Sequence, residues 1–346
     1  MASLVCRQSL VTLFALCISF SAGAKTYQSA EEAAIRALVE RYFAFHQTED
    51  LDGIGRLWSD KAPELAHAKA RLKEFFALNN QIEIRNITFR HFTVDGERAS
   101  LSATVDVSAI DAKTGKATTG PVKMNRVMSF VKEGAEWKVV RDISAEEEFA
   151  ARLVAAPNEA ERRALLSGEP ESMTPELVRA LTTEGQKLYT RGSYPQALAI
   201  LQLSYQIGEQ IKDQSMTGRT LMFTGHVYNL MGDYDTALAY YERVVKVSEA
   251  TGYRGGVARA MLSVGTIQHA RGQLSLALVS CHKALAEFEA AGDKRNRALT
   301  LNNLGVIYFD LKNYAQTTEY YLKALALFMV CLTVFYSLSP SPRAPS

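Results

Sequence analysis

The second half of the chain carries a pattern of small, apolar and polar residues that returns every 40 residues. Each copy contains one glycine, which we call the marker glycine, with apolar residues at helical spacing around it. A position that predicts a turn follows seven residues after the marker glycine. The markers are Gly185, Gly225, Gly265 and Gly305, and the turn position holds Gly192, Gly232, Gly272 and Lys312. Four copies in one register predict a stacked repeat built of helices.

Each copy predicts a helix, a turn and a second helix, as the second copy illustrates. A glycine inside a helix costs about 1 kcal/mol relative to alanine, so Gly225 indicates the close approach of a neighbouring helix. Gly232 ends the first helix and Asp233 caps the second. Because one helix pair cannot bury its own apolar face, we expect the pairs to stack into an all-α solenoid over residues 174–328.

The order of small and large residues in this copy resembles the tetratricopeptide repeat family. The residues that carry the resemblance are Gly225, Tyr228, Ala237, Tyr241 and Val244. The period exceeds the usual length of about 34 residues, and the Gly292-Asp293 loop resembles the kinesin-light-chain-like class. The resemblance implies a non-enzymatic scaffold that binds a partner protein or peptide on the concave face, which the first helices line.

Three arginines occupy one equivalent position, six residues before the marker glycine: Arg179, Arg219 and Arg259. We call these three residues the arginine ladder. Three guanidinium groups on adjacent helices suit an acidic peptide or a C-terminal carboxylate. The alternative is a solvated face with packed stems. Further candidates for the concave face are Gln186, His226, Asn229, Thr266, His269 and Asn302. The two histidines lack a carboxylate or cysteine at ligand spacing, so we expect neither a metal nor a cofactor.

The first part of the chain predicts a separate α+β domain over residues 25–144. Helical patterns cover 31–47, 51–58 and 64–78. Period-two patterns then predict strands over 81–94, 98–110, 122–132 and 136–143, with turn signals at Asp95-Gly96 and Glu133-Gly134. Strands joined by tight turns imply an antiparallel sheet with helices packed on it.

This order of elements resembles the SnoaL-like (nuclear transport factor two-like) cone fold. The segments that carry the resemblance are IRALVERYFAFHQTEDLDGIGRLWS, VDGERASLSATV and VMSFVKEGAEWKVVRDIS. It implies a pocket between the helices and a curved sheet, with Tyr42, His46, Trp58 and Arg126 as candidate lining residues. A buried Arg126 needs an acidic partner or a ligand anion. No Asp/His pair at a defined spacing stands out, so we expect no enzymatic activity; small-molecule binding, or an isomerase- or hydrolase-type activity, is the alternative.

Residues 145–173 predict a helical connector. Asn158 can cap a helix after Pro157, and Thr174 followed by Pro175 begins the first repeat. This lead-in is similar to the N-terminal part of bacterial tetratricopeptide/CHAT-domain proteins. A regulatory fragment of a longer peptidase-type effector is therefore a second alternative.

The charge balance, the N-terminal segment and the cysteines exclude some classes of function and favour others. The chain has 39 basic and 37 acidic side chains, which argues against nucleic-acid binding. Residues 1–24 resemble a secretory signal peptide, so we expect export to the periplasm or medium. Two of the four cysteines lie in this leader, which argues against a disulfide scaffold. We expect Cys281 to be a core residue.

The last segment, residues 329–346, combines an apolar run with a polar tail for which we expect disorder. A solenoid normally ends in a polar capping helix, and this end offers the reverse. Three interpretations remain open: a truncated or frameshifted longer protein, a helix that contacts a membrane or a partner, or a helix folded onto the last repeat.

Overall fold

The computed structural model describes residues 30–117 and 122–337, with side chains described as far as Met329. The chain divides into two units: the first ends at Glu148 and the second begins at Phe149. The expected signal peptide and polar tail lie outside the described residues and stay predictions.

Three helices open the first unit: α1 (30–47), α2 (Leu51–Leu57) and α3 (Leu65–Leu78). The predicted apolar stripe of α1 is buried, and its members are Ile35, Leu38, Val39, Tyr42 and Phe43. Asp50 caps α2 by accepting a 2.7 Å hydrogen bond from the backbone N–H of Gly53.

Four strands follow: β1 (Asn79–Asp95), β2 (Arg98–Asp111), β3 (Val122–Glu133) and β4 (Glu136–Ser144). They form an antiparallel sheet in the order β1-β2-β3-β4. Gly96 and Gly134 make the two tight turns with φ of 58° and 64°, a backbone region that favours glycine. The predicted alternation of β2 is confirmed, since Leu101, Val105 and Val107 all face the core.

The connector contains α4 (Ala145–Ala155), α5 (Glu159–Gly168) and a 3-10 turn (Pro170–Ser172). The Asn158 side chain accepts a 2.9 Å hydrogen bond from the backbone N–H of Glu161, as its capping role predicts. Thr174 caps the first repeat helix by accepting a 3.2 Å bond from the backbone N–H of Leu177.

Four helix pairs then repeat in register. The first helices of the pairs are α6 (Pro175–Thr190), α8 (Gln214–Leu230), α10 (Arg254–Ala270) and α12 (Lys294–Asp310). The second helices are α7 (Tyr194–Gln210), α9 (Tyr234–Ala250), α11 (Leu274–Ala290) and α13 (Tyr314–Ser337). Each helix packs against its successor in the chain, which makes a solenoid of stacked hairpins.

The marker glycines lie where the two helices of a pair approach most closely. A Cβ added to Gly225 would stand 2.6 Å from Cε1 of Tyr241, and one added to Gly305 would stand 2.5 Å from Cε1 of Tyr321. No side chain fits at those distances, which explains glycine inside a helix. At the turn position, Lys312 adopts a φ of 58° where the other copies have glycine.

The repeats bury polar groups that bond to one another. Thr182 and Thr220 lie on successive first helices, and their hydroxyl oxygens are 2.9 Å apart. Ser204 joins both hydroxyls, at 2.9 Å from Thr182 and 3.2 Å from Thr220. Cys281 is fully buried, as expected, and burial raises the pKa of its thiol to about 11.

The last helix, α13, continues past the predicted repeat boundary at residue 328 as far as Ser337. Several of its described apolar side chains are exposed, among them Leu322, Leu325 and Met329. Within 30–117 and 122–337, no helix is both long enough and apolar enough to cross a membrane.

Candidate functional site

A cavity of about 180 Å³ lies in the first unit between α1, α3 and the sheet. Three of the four residues predicted for the pocket line it: Tyr42, His46 and Arg126. The other lining residues are mainly apolar, and they include Phe43, Leu72, Phe75, Ile82, Ile84, Val107 and Met124.

The fourth predicted residue, Trp58, does not line this cavity. It follows α2 and forms a bridge with Val139 of β4, which places its side chain in the core at 2% exposure. Its indole N–H has no hydrogen-bond partner among the described residues.

The polar groups at the cavity meet at Asp142, which is 6% exposed. The Tyr42 hydroxyl donates to Asp142 Oδ2 at 2.7 Å, and Arg126 Nε donates to Oδ1 at 2.9 Å. Arg71 Nη2 donates to the backbone carbonyl of Asp142 at 2.8 Å. The acidic partner that a buried Arg126 requires is therefore present. Burial opposes the charge of Arg126, but the Asp142 carboxylate outweighs it and raises the pKa of the guanidinium.

Asp142 faces inward because β4 contains a bulge. Phe130 pairs with Val139, whereas the next residue back, Ser129, pairs with Arg141, so Val140 is an extra residue. Strict alternation from Val139 would have pointed Arg141 inward and Asp142 outward. The inserted residue reverses which side chains of β4 face the core after Val139, and it brings the Asp142 carboxylate to Arg126.

His46 ends α1 with its ring against the cavity. Its Nδ1 lies 2.8 Å from the carbonyl oxygen of Tyr42, so this nitrogen carries the proton and donates. The ring also contacts Tyr42, Phe43 and Phe76 at centroid distances of 4.7, 5.3 and 5.9 Å. Burial lowers the pKa of His46, so the ring is neutral at pH 7.

In the second unit, the arginine ladder lies on α6, α8 and α10, and neighbouring first helices pack against one another. Arg179 and Arg219 are exposed, and neither has an ion-pair partner in the described part of the chain. Arg259 is half-buried: its Nη2 donates to the Tyr253 hydroxyl, and its guanidinium lies 5.2 Å from that ring's centroid.

Comparison with protein families identifies this second unit. A tetratricopeptide repeat model matches residues 176–250 and 216–280, and a second one matches residues 297–328. Residues 176–280 and 297–328 are tetratricopeptide repeats. The resemblance to this family, which the order of small and large residues suggested, is thereby confirmed.

Solved structures with similar folds cover each unit separately. BtubC (BKLC) from P. vanneervenii is 21% identical, covers 54% of this chain and 74% of its own, and has a TM-score of 0.44. Kinesin light chain repeats from Podosopora anserina are 14% identical over 53% of this chain and 93% of theirs, with a TM-score of 0.38. A protein of the NTF2-like family from Streptomyces avermitilis is 12% identical over 33% of this chain and 94% of its own, with a TM-score of 0.29. No curated protein matches the sequence.

The first unit, with three helices and a four-stranded antiparallel sheet, fits the expected cone fold. Membership of the SnoaL-like family stays a prediction, as does a relation to CHAT-domain proteins.

The other residues predicted on the concave face of the repeats differ in solvent exposure. Thr266 and Asn302 are exposed, whereas Gln186 and Asn229 are half-buried. The Thr266 hydroxyl donates within its own helix, to the carbonyl oxygen of Leu262 at 3.0 Å.

The two histidines predicted on this face already have partners. His226 Nδ1 lies 2.8 Å from the Tyr241 hydroxyl, and burial lowers the pKa of the ring to about 4. His269 Nε2 lies 2.6 Å from Asp310 Oδ2, which links the third and fourth repeats. Neither Asp310 nor Asp142 was among the predicted site residues. For Asp310 a signal existed, because residues about one period apart lie side by side in a stacked repeat.

Proposed function

We propose that the protein is an interaction scaffold whose tetratricopeptide unit binds an extended acidic segment of a partner along the arginine ladder. The exposure of Arg179 and Arg219 without acidic partners carries this proposal. Arginine forms bidentate hydrogen bonds with carboxylates, and such bonds are stronger than those between neutral groups. Arg259 supports the same surface because Tyr253 already orders its guanidinium.

The geometry of the ladder suggests a spacing for the acidic residues. Packed helices lie about 8–10 Å apart, so equivalent residues on neighbouring first helices have a similar separation. An extended polyproline-type chain rises about 3.1 Å per residue with three residues per turn, which places every third side chain on one face about 9 Å apart. A segment with acidic residues at every third position therefore matches the ladder.

Tetratricopeptide repeats are interaction modules and do not by themselves carry catalytic chemistry, so this function needs no cofactor. For the first unit, the absence of enzymatic activity stays a prediction.

A comparison of two triple variants tests the proposal by affinity capture from lysate of the source organism. The ladder variant is Arg179→Ala/Arg219→Ala/Arg259→Ala. The charge-matched control is Lys246→Ala/Lys283→Ala/Lys323→Ala, whose residues are exposed on the second helices. Circular dichroism confirms that both variants are folded.

We expect the wild-type protein and the lysine control to capture the same partner and the ladder variant to lose it. A partner that all three proteins capture would show that the arginine ladder does not bind it. A partner that both variants lose would indicate non-specific charge attraction and would equally contradict the proposal.

A further inference from the structure

We infer that the cavity of the first unit is a binding site for a small neutral ring compound that carries one hydroxyl group, such as a phenol. This function is separate from partner binding by the repeats. Three features of the cavity support this ligand: its volume, the Nε2 of His46, to which no described residue donates, and its balanced charges.

The volume of the cavity limits the ligand to a single ring. An apolar cavity of about 150 Å³ in a protein core binds benzene. The cavity here is about 180 Å³, so it has room for one six-membered ring with one or two small substituents. Its walls include Leu72, Phe75, Ile82, Val107 and Met124, which suit the face and edge of such a ring.

His46 supplies the polar contact. Its Nδ1–H is already committed to the carbonyl oxygen of Tyr42, so Nε2 of the neutral ring is an acceptor. No described residue donates a hydrogen bond to Nε2, although His46 is only 7% exposed. Nε2 is therefore available as an acceptor, and a ligand hydroxyl can donate a hydrogen bond to it. The contacts with Tyr42, Phe43 and Phe76 hold the imidazole in place for this role.

The charges around the cavity favour a neutral ligand over an anion. Arg126 is paired with Asp142 at 2.8 Å, and Arg71 lies 3.6 Å from Glu147. Both guanidinium groups therefore already have a carboxylate nearby. The Asp142 carboxylate accepts from both Tyr42 and Arg126, so its charge is already balanced within the protein.

Isothermal titration calorimetry of the full chain with three probes tests this inference. The probes are p-cresol, toluene and benzoate, which share one ring and differ in the polar group. One net hydrogen bond corresponds to a preference of about tenfold. We therefore expect p-cresol to bind about tenfold more tightly than toluene and also more tightly than benzoate.

Four variants locate the site. His46→Leu removes the acceptor and is expected to abolish the preference for p-cresol over toluene, whereas His46→Gln, whose side-chain carbonyl reaches the place of Nε2, is expected to retain it. His67→Leu, at an exposed position of α3 beside the cavity residue Ala68, is the control and should behave as wild type. Ala68→Leu reduces the cavity volume and keeps His46 in the chain, and we expect it to weaken the binding of both p-cresol and toluene.

Three results would overturn the inference: no binding of p-cresol to the wild-type protein, a preference that survives His46→Leu, or unchanged affinities in Ala68→Leu. Tighter binding of benzoate would contradict the neutral-ligand assignment. Circular dichroism of each variant shows that a lost affinity is not a lost fold.

Discussion

The partly buried His226 predicts a measurable acid sensitivity of the repeat unit. Burial lowers the pKa of its ring from 6.5 to about 4. In the unfolded chain the same ring titrates near its ordinary value, so the unfolded state binds more protons between these two pH values. The free energy of unfolding must therefore fall as the pH drops from 7 towards 4.

The size of this effect follows from the two pKa values. At pH 5 the unfolded ring is almost fully protonated and the folded ring is mostly neutral. Integrating the difference in bound protons from pH 7 to pH 5 gives a loss of about 2 kcal/mol attributable to His226. His226→Gln removes this titration, and glutamine already stands at the equivalent position of the first repeat as Gln186.

Urea unfolding at pH 7 and pH 5 measures the loss. Both tryptophans, Trp58 and Trp137, lie in the first unit, so far-ultraviolet circular dichroism reports the helices of the repeat unit and tryptophan fluorescence reports the other unit. We expect wild type to lose about 2 kcal/mol more than His226→Gln in the circular dichroism transition. The fluorescence transition should shift equally in both proteins, because His46 is present in each.

A difference between wild type and His226→Gln below about 0.5 kcal/mol would contradict a lowered pKa of His226 in the folded state. It would mean that the ring gains a proton in the folded state without penalty. His67→Gln, at an exposed site, controls for the loss of a histidine as such.

Three substitutions test other contacts by urea unfolding. Gly225→Ala forces a methyl group against the Tyr241 ring and should cost about 1–3 kcal/mol in the circular dichroism transition; a neutral result would contradict the close approach of the two helices. Asp142→Asn leaves the buried Arg126 charge without a carboxylate, so the fluorescence transition should lose about 3 kcal/mol, and no loss would show that the ion pair is not formed in solution. Lys312→Gly relieves a positive φ and should stabilise the repeat unit by about 0.5–1 kcal/mol, whereas destabilisation would contradict that backbone conformation.

The repeat unit was predictable because its signals are local and periodic. Glycine destabilises a helix, and this fact alone indicated that Gly225 lies at a close contact between helices. Tyr241 lies at that contact. The turn position was also predictable, since Gly232 has the positive φ of 80° that its place after a helix implies.

The polar group that organises the cavity was not predictable in the same way. The bulge at Val140 reverses the phase of β4, and strict alternation would have turned Asp142 to the outside. Arg71 reaches the carbonyl of Asp142 from a helix 71 residues away in sequence, a contact that no local pattern encodes. Trp58 lies outside this cavity for a related reason, because its position depends on a bridge to Val139 that joins distant segments.

Fluorescence anisotropy with two labelled peptide isomers tests whether the arginine ladder binds acidic residues at every third position. One isomer carries three glutamates at every third position, and the other carries the same three glutamates in a row, so both have the same charge. We expect the wild-type protein and the lysine control to bind the spaced isomer more tightly, and the ladder variant to bind it about tenfold more weakly than wild type. Equal affinity of the wild-type protein for the two isomers, or an undiminished affinity in the ladder variant, would contradict this expectation.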